Sequence, residues 1–255
     1  MFAVLALLAL VAPLPANAVF RLAVDISQLG TSSAFSCLRT YQYNTVFVRA
    51  YKPDNGGSPD YNAPTNVKAA SAAGLGVEVF AVPAPTSFTS AIKQIDDTIT
   101  TLQNYGVTVR SLWLQVTSPV NWSANQNQNI NFIQSAVQRI RARNVRPGIY
   151  TSQYDWNQIT NGFSNLGSDV MLWYWHVFGA GPSGESPQNF NDFRSFAQWS
   201  SPMVKQFGQQ ESLCGFSFLN RDVYQGNGMA DNSNATSVSS TNIVVGGIGL
   251  DTPLN

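Results

Sequence analysis

The chain has 255 residues, of which 44% are hydrophobic and 12% aromatic, so it can bury a substantial core. Lysine and arginine number 14, aspartate and glutamate also number 14, and charged residues make up only 11%. This neutral balance argues against a basic surface for nucleic acid or for an acidic membrane, and we expect neither as a partner.

The first predicted element is a signal peptide at residues 1–18. Its apolar run, from Met1 to Leu14, is too short to span a bilayer, and Ala16-Asn17-Ala18 has the small-x-small form that signal peptidase cleaves. We therefore expect a secreted, extracellular chain that begins near Val19. The segment lacks the usual positively charged start, which leaves an N-terminal anchor as the alternative.

Short apolar runs alternate with helical periodicity over residues 19–224, as in a sheet whose strands are joined by helices. Strands are predicted at 21–26, 45–51, 76–82, 110–117, 146–151, 170–178, 202–207 and 216–219. The clearest helices are predicted at 89–104 and 125–143. Eight parallel strands with interleaved helices predict a single-domain α/β fold, an irregular (β/α)₈ TIM-like barrel. Residues 225–255 are rich in Gly, Asn, Ser and Thr, which predicts a flexible tail.

Two covalent features are predicted for an extracellular chain. Cys37 and Cys214 are the two cysteines, and behind a signal peptide an even pair predicts one disulfide. Asn121 and Asn234 begin Asn-x-Ser/Thr sequons and are candidate glycosylation sites. The first sequon would be blocked if Trp122 packs inward.

Several kinds of chemistry are disfavoured. His176 is the single histidine, no Gly-x-Ser-x-Gly motif is present, and we expect a structural role for this side chain. One histidine and a disulfide cannot assemble a zinc site, so no metal is expected. The Gly-x-Gly-x-x-Gly pattern at 179–184 contains Pro182 and opens no predicted helix, so it is typical of a glycine-rich loop, and no cofactor is expected.

Carboxylates remain as candidates, since paired carboxylates carry glycoside hydrolysis. Asp25 stands at the carboxyl end of the first strand, where barrel enzymes place active sites, although a helix-capping or loop-bracing role is equally open. Glu78 is the alternative acid, but it begins the third strand, so we expect it towards the opposite end of the barrel, as a structural or surface carboxylate. Asp222 follows the last predicted strand and has no stronger claim.

A collinear set of motifs over roughly residues 20–224 resembles the family 25 glycoside hydrolases, and specifically their nematode lysozyme-like branch. The resemblance is carried by Val24-Asp25-Ile26-Ser27, Phe35-Ser36-Cys37-Leu38, Val48-Arg49-Ala50-Tyr51, Trp113-Leu114, Gly148-Ile149-Tyr150-Thr151-Ser152, Leu172-Trp173-Tyr174, His176, Lys205-Gln206-Phe207 and Cys214-Gly215. It implies an irregular β/α barrel that cleaves the glycosidic bond after N-acetylmuramic acid in bacterial peptidoglycan.

The chain departs from this family at its Asp-x-Glu motif on strand four. Gln115 stands in the place of the Asp, which stabilises charge, and Thr117 stands in the place of the Glu, which is the general acid. A threonine hydroxyl is too weak an acid for this step, and losing acid catalysis costs on the order of 10²–10⁴-fold in rate. Asn220 is the best match to a further family Asp near the last strand, which leaves Asp25 as the retained carboxylate.

The sequence therefore predicts a monomeric, non-catalytic lysozyme-like protein whose cleft still binds bacterial cell-wall glycan in antibacterial defence. Tyr51, Trp122, Trp173 and Trp175 are candidate sugar-stacking faces, with core packing as the alternative for each. Two other hypotheses stay open. One is an active muramidase that uses non-standard residues, and the other is a structural barrel with an occluded cleft.

Overall fold

The computed structural model describes residues 19–226 and 242–248. The predicted signal peptide, Asn234 and most of the predicted tail lie outside the described residues. Eleven strands are described: β1 (Phe20–Ile26), β2 (Tyr43–Lys52), β3 (Ser58–Pro59), β4 (Gly76–Ala81), β5 (Val107–Val109), β6 (Ser111–Gln115), β7 (Arg146–Thr151), β8 (Met171–Trp175), β9 (Val204–Leu213), β10 (Phe216–Gln225) and β11 (Ile243–Val245). The α-helices are α1 (Ser32–Thr40), α2 (Ala63–Ala72), α3 (Ala91–Asn104), α4 (Gln126–Ala142) and α5 (Gln153–Thr160).

Eight of the strands close into a barrel, in the order β1-β2-β4-β6-β7-β8-β9-β10 and back to β1. This confirms the predicted single-domain α/β barrel, and the eight predicted strands are the eight strands of the barrel wall. Aromatic side chains fill the barrel interior, among them Phe47, Phe80, Trp113 and Trp173. A second apolar layer lies between the barrel wall and the helices.

The last two barrel strands differ from the expectation of an all-parallel sheet. β10 runs antiparallel to both β9 and β1. The chain turns between β9 and β10 at Cys214 and Gly215, both at positive φ, and so short a turn can join only antiparallel strands. β10 also extends to Gln225, well past the predicted end at residue 219, because pairing on both sides supports its polar residues.

The described part of the tail packs against the base of the barrel, at the amino ends of β4 and β6. β11 pairs in parallel with β5, and the Gly246 amide donates to the Val77 carbonyl at 2.8 Å. A flexible appendage was expected here, and for residues 242–248 this expectation is wrong. The composition suggested disorder, but backbone pairing orders this segment.

Glu78 is the buried carboxylate that receives this tail. Its Oε1 accepts the amides of Gly247 and Ile248 at 2.6 and 2.9 Å, and its Oε2 accepts Ser111 Oγ at 2.8 Å and Trp113 Nε1 at 2.9 Å. Burial raises the pKa of Glu78, and these four donors oppose that shift. Its place at the base agrees with the structural role expected for it.

Two observations bear on the remaining fold predictions. The predicted disulfide between Cys37 and Cys214 is confirmed, and it joins α1 to the turn between β9 and β10 across a sequence separation of 177. Among the residues described, no helix combines the length and the apolar character needed to cross a membrane.

Candidate functional site

The candidate site is a cleft of about 660 Å³ at the carboxyl ends of the barrel strands. Active sites of β/α barrels lie at this end because the loops that follow the strands converge there. The cleft is lined by Asp25, Ser27, Gln115, Thr117, Ser118, Tyr150, Asp155, Trp175, Gln206, Gln209, Gln210, Phe218, Leu219 and Asn220. The retained carboxylate and all three positions predicted to replace family acids are therefore brought together.

Asp25 lies in the floor of the cleft, at the end of β1 and directly opposite Asn220 on β10. Only 7% of Asp25 is exposed, and burial raises its pKa to about 7. The side-chain amide of Asn220 is held in one orientation by two hydrogen bonds. Its Oδ1 accepts from the backbone N–H of Gln210 at 3.0 Å, and its Nδ2 donates to Asp25 Oδ1, also at 3.0 Å. Asn220 thus supplies a donor to the carboxyl group beside it.

Asp222 is a second carboxyl group at this site, although from sequence it has no stronger claim than the other carboxylates. It lies beyond the last predicted strand, but β10 includes it, and it follows Asn220 by two residues on the same face. The side chain is fully buried, and Trp173 Nε1 donates to its Oδ1 at 2.9 Å. The available signal was the two-residue spacing of Asn220 and Asp222, which puts both side chains on one face if the strand continues past residue 219.

Asp25 and Asp222 form a pair of buried carboxyl groups in the floor of the cleft. The Oδ2 atom of each is buried and has no hydrogen-bond partner. Burial and the charge of Asp25 raise the pKa of Asp222 well above its usual range. Ionising both carboxyl groups of the pair is therefore unfavourable.

Gln115 and Thr117 stand at and just beyond the end of β6, and both line the cleft. Gln115 Nε2 donates to Thr117 Oγ1 at 2.8 Å, so the two side chains face the same space. Thr117 also anchors the neighbouring loop, because its carbonyl accepts Trp122 Nε1 at 3.0 Å. This part of the cleft presents an amide and a hydroxyl, neither of which can act as a general acid at neutral pH.

The opposite wall is formed by β7, β8 and β9. Tyr150 donates its hydroxyl to Gln206 Oε1 in a short contact, and burial raises the pKa of this tyrosine well above its usual range. Trp175 Nε1 donates to Asp155 Oδ2 at 2.9 Å, and burial raises the pKa of Asp155. These four side chains were not proposed as polar groups of the site, although Tyr150 and Gln206 lie within the motifs that carry the family resemblance.

The four candidate stacking residues differ in burial and in position relative to the cleft. Trp175 is half-buried and lines the cleft. Trp122 is largely buried and lines a second, adjoining cavity. Trp173 is fully buried inside the barrel, stacked on Tyr150 with ring centroids 4.1 Å apart, and Tyr51 is fully buried in the core. Burial therefore argues against Tyr51 and Trp173 as sugar-stacking faces.

His176 lies outside the cleft in a polar network that holds the loop after β8. Its Nδ1 contacts Asp192, which also accepts Tyr174 at 2.7 Å and the buried ammonium of Lys205 at 2.7 Å. Within the described residues, no group of three or more histidine, cysteine, aspartate or glutamate side chains is arranged to hold a metal ion. The exposed Asn121 of the first sequon lies in the wall of the second cavity.

Comparison with known proteins decides the family. The model of the family described as lysozyme-like protein 1 matches residues 16–207. The chain belongs to this lysozyme-like family. It is 49% identical over 211 residues to lysozyme-like protein 7 of Caenorhabditis elegans, with 82% of this chain and 74% of that protein covered. It is also 35% identical over 196 residues to "Probable GH family 25 lysozyme 2" of Dictyostelium discoideum, with 76% of this chain and 87% of that protein covered.

The fold agrees with this lysozyme-like assignment. The solved structure of a family 25 lysozyme from Aspergillus fumigatus superposes with a TM-score of 0.61 at 16% identity, covering 82% of this chain and 95% of that chain. At so low an identity the superposition supports the fold alone. The lysozyme-like barrel and its glycoside hydrolase family 25 relatives therefore share one architecture.

Proposed function

We propose that this lysozyme-like chain is a secreted protein that binds bacterial cell-wall glycan without cleaving it and acts in antibacterial defence. The observation that carries the proposal is the hydrogen bond from Gln115 Nε2 to Thr117 Oγ1, at 2.8 Å. By the family resemblance, these two side chains stand where the Asp-x-Glu motif has its two acids. An amide offers no negative charge to an oxocarbenium-like transition state, and a threonine hydroxyl does not protonate a leaving oxygen.

Retention of binding is supported by the character of the cleft. Its lining is rich in amides and hydroxyls, from Gln206, Gln209, Gln210, Ser27 and Ser118, which match the hydroxyl and acetamido groups of a sugar. Trp175 adds an aromatic face at the rim. A cleft of about 660 Å³ has room for a sugar unit.

Secretion is supported by the disulfide between Cys37 and Cys214, because such bonds persist in oxidising compartments. The apolar run at residues 1–14, followed by the small-x-small cleavage site Ala16-Asn17-Ala18, also supports secretion. We propose a monomer, with cell-wall glycan as the partner.

A second candidate is an active muramidase with non-standard residues, and one observation favours it. Asp25 lines the cleft beside the buried Asp222 carboxyl group, and burial raises its pKa to about 7, so it can donate a proton near neutral pH. In this candidate Asp25 protonates the leaving oxygen. Its depth in the floor and its hydrogen bond to Asn220 favour a structural role instead.

Sedimentation of the purified protein with insoluble peptidoglycan separates these candidates when soluble reducing ends are measured in the same tube. We expect the wild type to sediment with the polymer and to release no reducing ends. Trp175→Ala should lower the bound fraction, whereas Tyr41→Ala, at an exposed position near the base, should not. Absence of sedimentation would refute binding, and reducing ends that disappear in Asp25→Asn would establish the second candidate.

A further inference from the structure

A charge cluster of four side chains lies beside the strands that form one wall of the cleft. Its members are Tyr43, Glu185, Glu211 and Arg221, from β2, the loop after β8, β9 and β10. Arg221 Nε donates to the Tyr43 hydroxyl at 2.7 Å, and Arg221 Nη1 makes a short ion pair with Glu185. The same nitrogen lies 3.8 Å from Glu211 Oε2, too far for a hydrogen bond. Arg221 therefore pairs directly with only one of its two neighbouring carboxylates.

Glu211 packs directly on the backbone of β9. A methyl group on the Cα of Gly208 would overlap Glu211 Oε1, so glycine leaves room there for the carboxyl group. Just 6% of Glu211 is exposed, and the same Oε1 atom is buried without a hydrogen-bond partner among the described residues. The carboxyl group is therefore shielded from water on a side where no donor stabilises its charge.

The cluster holds more negative than positive charge when both glutamates are ionised. One guanidinium then faces two carboxylates, which leaves an excess charge in a half-buried space. Burial and the charge of Glu185 raise the pKa of Glu211 to about 7, although Arg221 attracts the ionised form. Tyr43 is the remaining titratable group that faces them in the described part of the chain, and burial raises its pKa too, so it stays neutral. Glu211 is therefore the member that takes up a proton near neutral pH.

Glu185 belongs to the glycine-rich loop, residues 178–187, that contains the Gly-x-Gly-x-x-Gly pattern. A methyl group on the Cα of Gly184 would overlap the Gly179 carbonyl, so the loop closes through a contact between two glycines. The pattern thus builds a closed loop, and this loop presents Glu185 to Arg221.

Two backbone hydrogen bonds attach the glycine-rich loop to β9. The Ser186 N–H donates to the Phe207 carbonyl at 2.9 Å, and the Gly181 N–H donates to the Gln209 carbonyl at 2.8 Å. Gln209 lines the cleft, so the loop is bonded directly to the cleft wall. Any force that moves the loop away from β9 therefore acts on the cleft wall as well.

We infer that the charge cluster is a pH-sensitive latch: when Glu211 releases its proton to solvent, Glu185 and the glycine-rich loop move away from β9. With Glu211 protonated, the cluster holds one negative and one positive charge, and the loop stays attached. With Glu211 ionised, movement of Glu185 into water relieves the repulsion between the two carboxylates, at the expense of the loop's bonds to β9. The cleft wall is therefore ordered in acid and loosened as the pH rises through neutrality.

Hydrogen exchange of the full chain tests the latch without any ligand. It is followed by mass spectrometry between pH 5.5 and 8.5 and corrected for the intrinsic exchange rate at each pH. We expect protection of the amides of residues 178–187 to fall at least about tenfold over this range, because the attached loop favours the protonated form of Glu211. The internal reference is α4, which packs on α3, α5 and β7 and should show no comparable fall.

Glu211→Gln removes the titrating group and should keep loop protection near its acidic level at every pH. Asp222→Asn is the matched control, because it removes a different carboxyl group with a raised pKa and should leave the fall in place. Loop protection that is independent of pH in the wild type, or that falls equally in Glu211→Gln, would overturn the latch.

The consequence for the cleft rests on the proposed glycan-binding function, and sedimentation with insoluble peptidoglycan over the same pH range tests it. We expect the bound fraction of the wild type to fall as the pH rises, and Glu211→Gln to make that fall smaller. Equal falls in the two proteins would overturn the link between the latch and the cleft. Absence of sedimentation at every pH would overturn the proposed function, while the hydrogen-exchange result would still decide the latch.

Discussion

Gly246 is the residue at which the tail comes closest to the barrel base. Its backbone adopts a φ of +87°, and a methyl group on its Cα would lie 2.4 Å from both the amide nitrogen and the hydroxyl oxygen of Ser111. Ser111 is itself tied to Glu78 by its hydroxyl, so it has little freedom to move away. Gly246→Ala is therefore expected to displace the tail and to remove the Gly247 and Ile248 amides from the Glu78 carboxylate.

The size of the effect follows from these contacts. A positive φ at a residue with a side chain costs about 1–2 kcal/mol. Each backbone donor lost from the buried charged group of Glu78 costs about 1.5–3 kcal/mol. Water that enters the opened base replaces part of the lost hydrogen bonding, so we expect the free energy of unfolding to fall by about 3–5 kcal/mol.

Urea unfolding at pH 7, followed by tryptophan fluorescence, measures this loss. Gly74→Ala is the matched control, because Gly74 has a similar φ of +77° but a methyl group there would meet no atom within 4 Å. The control should lose only the backbone strain of about 1–2 kcal/mol. Equal losses in the two variants would refute the reasoning, since the hydrogen bonds from the Gly247 and Ile248 amides to Glu78 would then contribute nothing to stability.

Three further predictions concern the rest of the molecule. The pKa values of Asp25 and Asp222 are raised in the folded protein. The contribution of this pair to the free energy of unfolding is therefore full below about pH 4 and is lost as the pH rises through about 7. Asp222→Asn should make the free energy of unfolding fall less steeply between about pH 4 and 8, as measured by urea titrations. Lys205→Met removes a fully buried ammonium with three acceptors and should cost about 3–5 kcal/mol by urea unfolding, whereas Lys93→Met, at an exposed ion pair, should change stability by under about 1 kcal/mol. Cys214→Ala removes the disulfide to Cys37, which joins residues 177 positions apart, and should lower thermal stability by the equivalent of about 2–5 kcal/mol. Reductant should cause the same loss in the wild type.

Much of the fold could be predicted from the sequence, because its strands and helices are periodic and apolar. The strand predicted at 146–151 has those bounds in β7, and the helix predicted at 125–143 is α4, which differs by one residue at each end. The direction and length of β10 could not be predicted in the same way. Its pairing depends on a short turn at Gly215 and on two neighbouring strands, and its polar residues conceal it from a search for apolar runs.

The candidate site was predictable where strand geometry alone decides it. Side chains two residues apart share a face, so Gln115 and Thr117 could be placed together before the structure was known. Asp222 could not, because its role depends on a neighbour across the sheet, Asp25, which is distant in sequence. For Trp173 the choice between a sugar-stacking face and core packing stayed open for a related reason: sequence does not distinguish an aromatic that fills the barrel from one that faces its mouth.

The central claim is that the cleft is intact but has lost the two acids of the family's Asp-x-Glu motif, at Gln115 and Thr117. The most direct measurement is clearing of a peptidoglycan suspension by the wild type and by the Gln115→Asp, Thr117→Glu double variant, with both proteins shown to be folded. We predict no clearing by the wild type and measurable clearing by the double variant. Clearing by the wild type, or by neither protein, would contradict it.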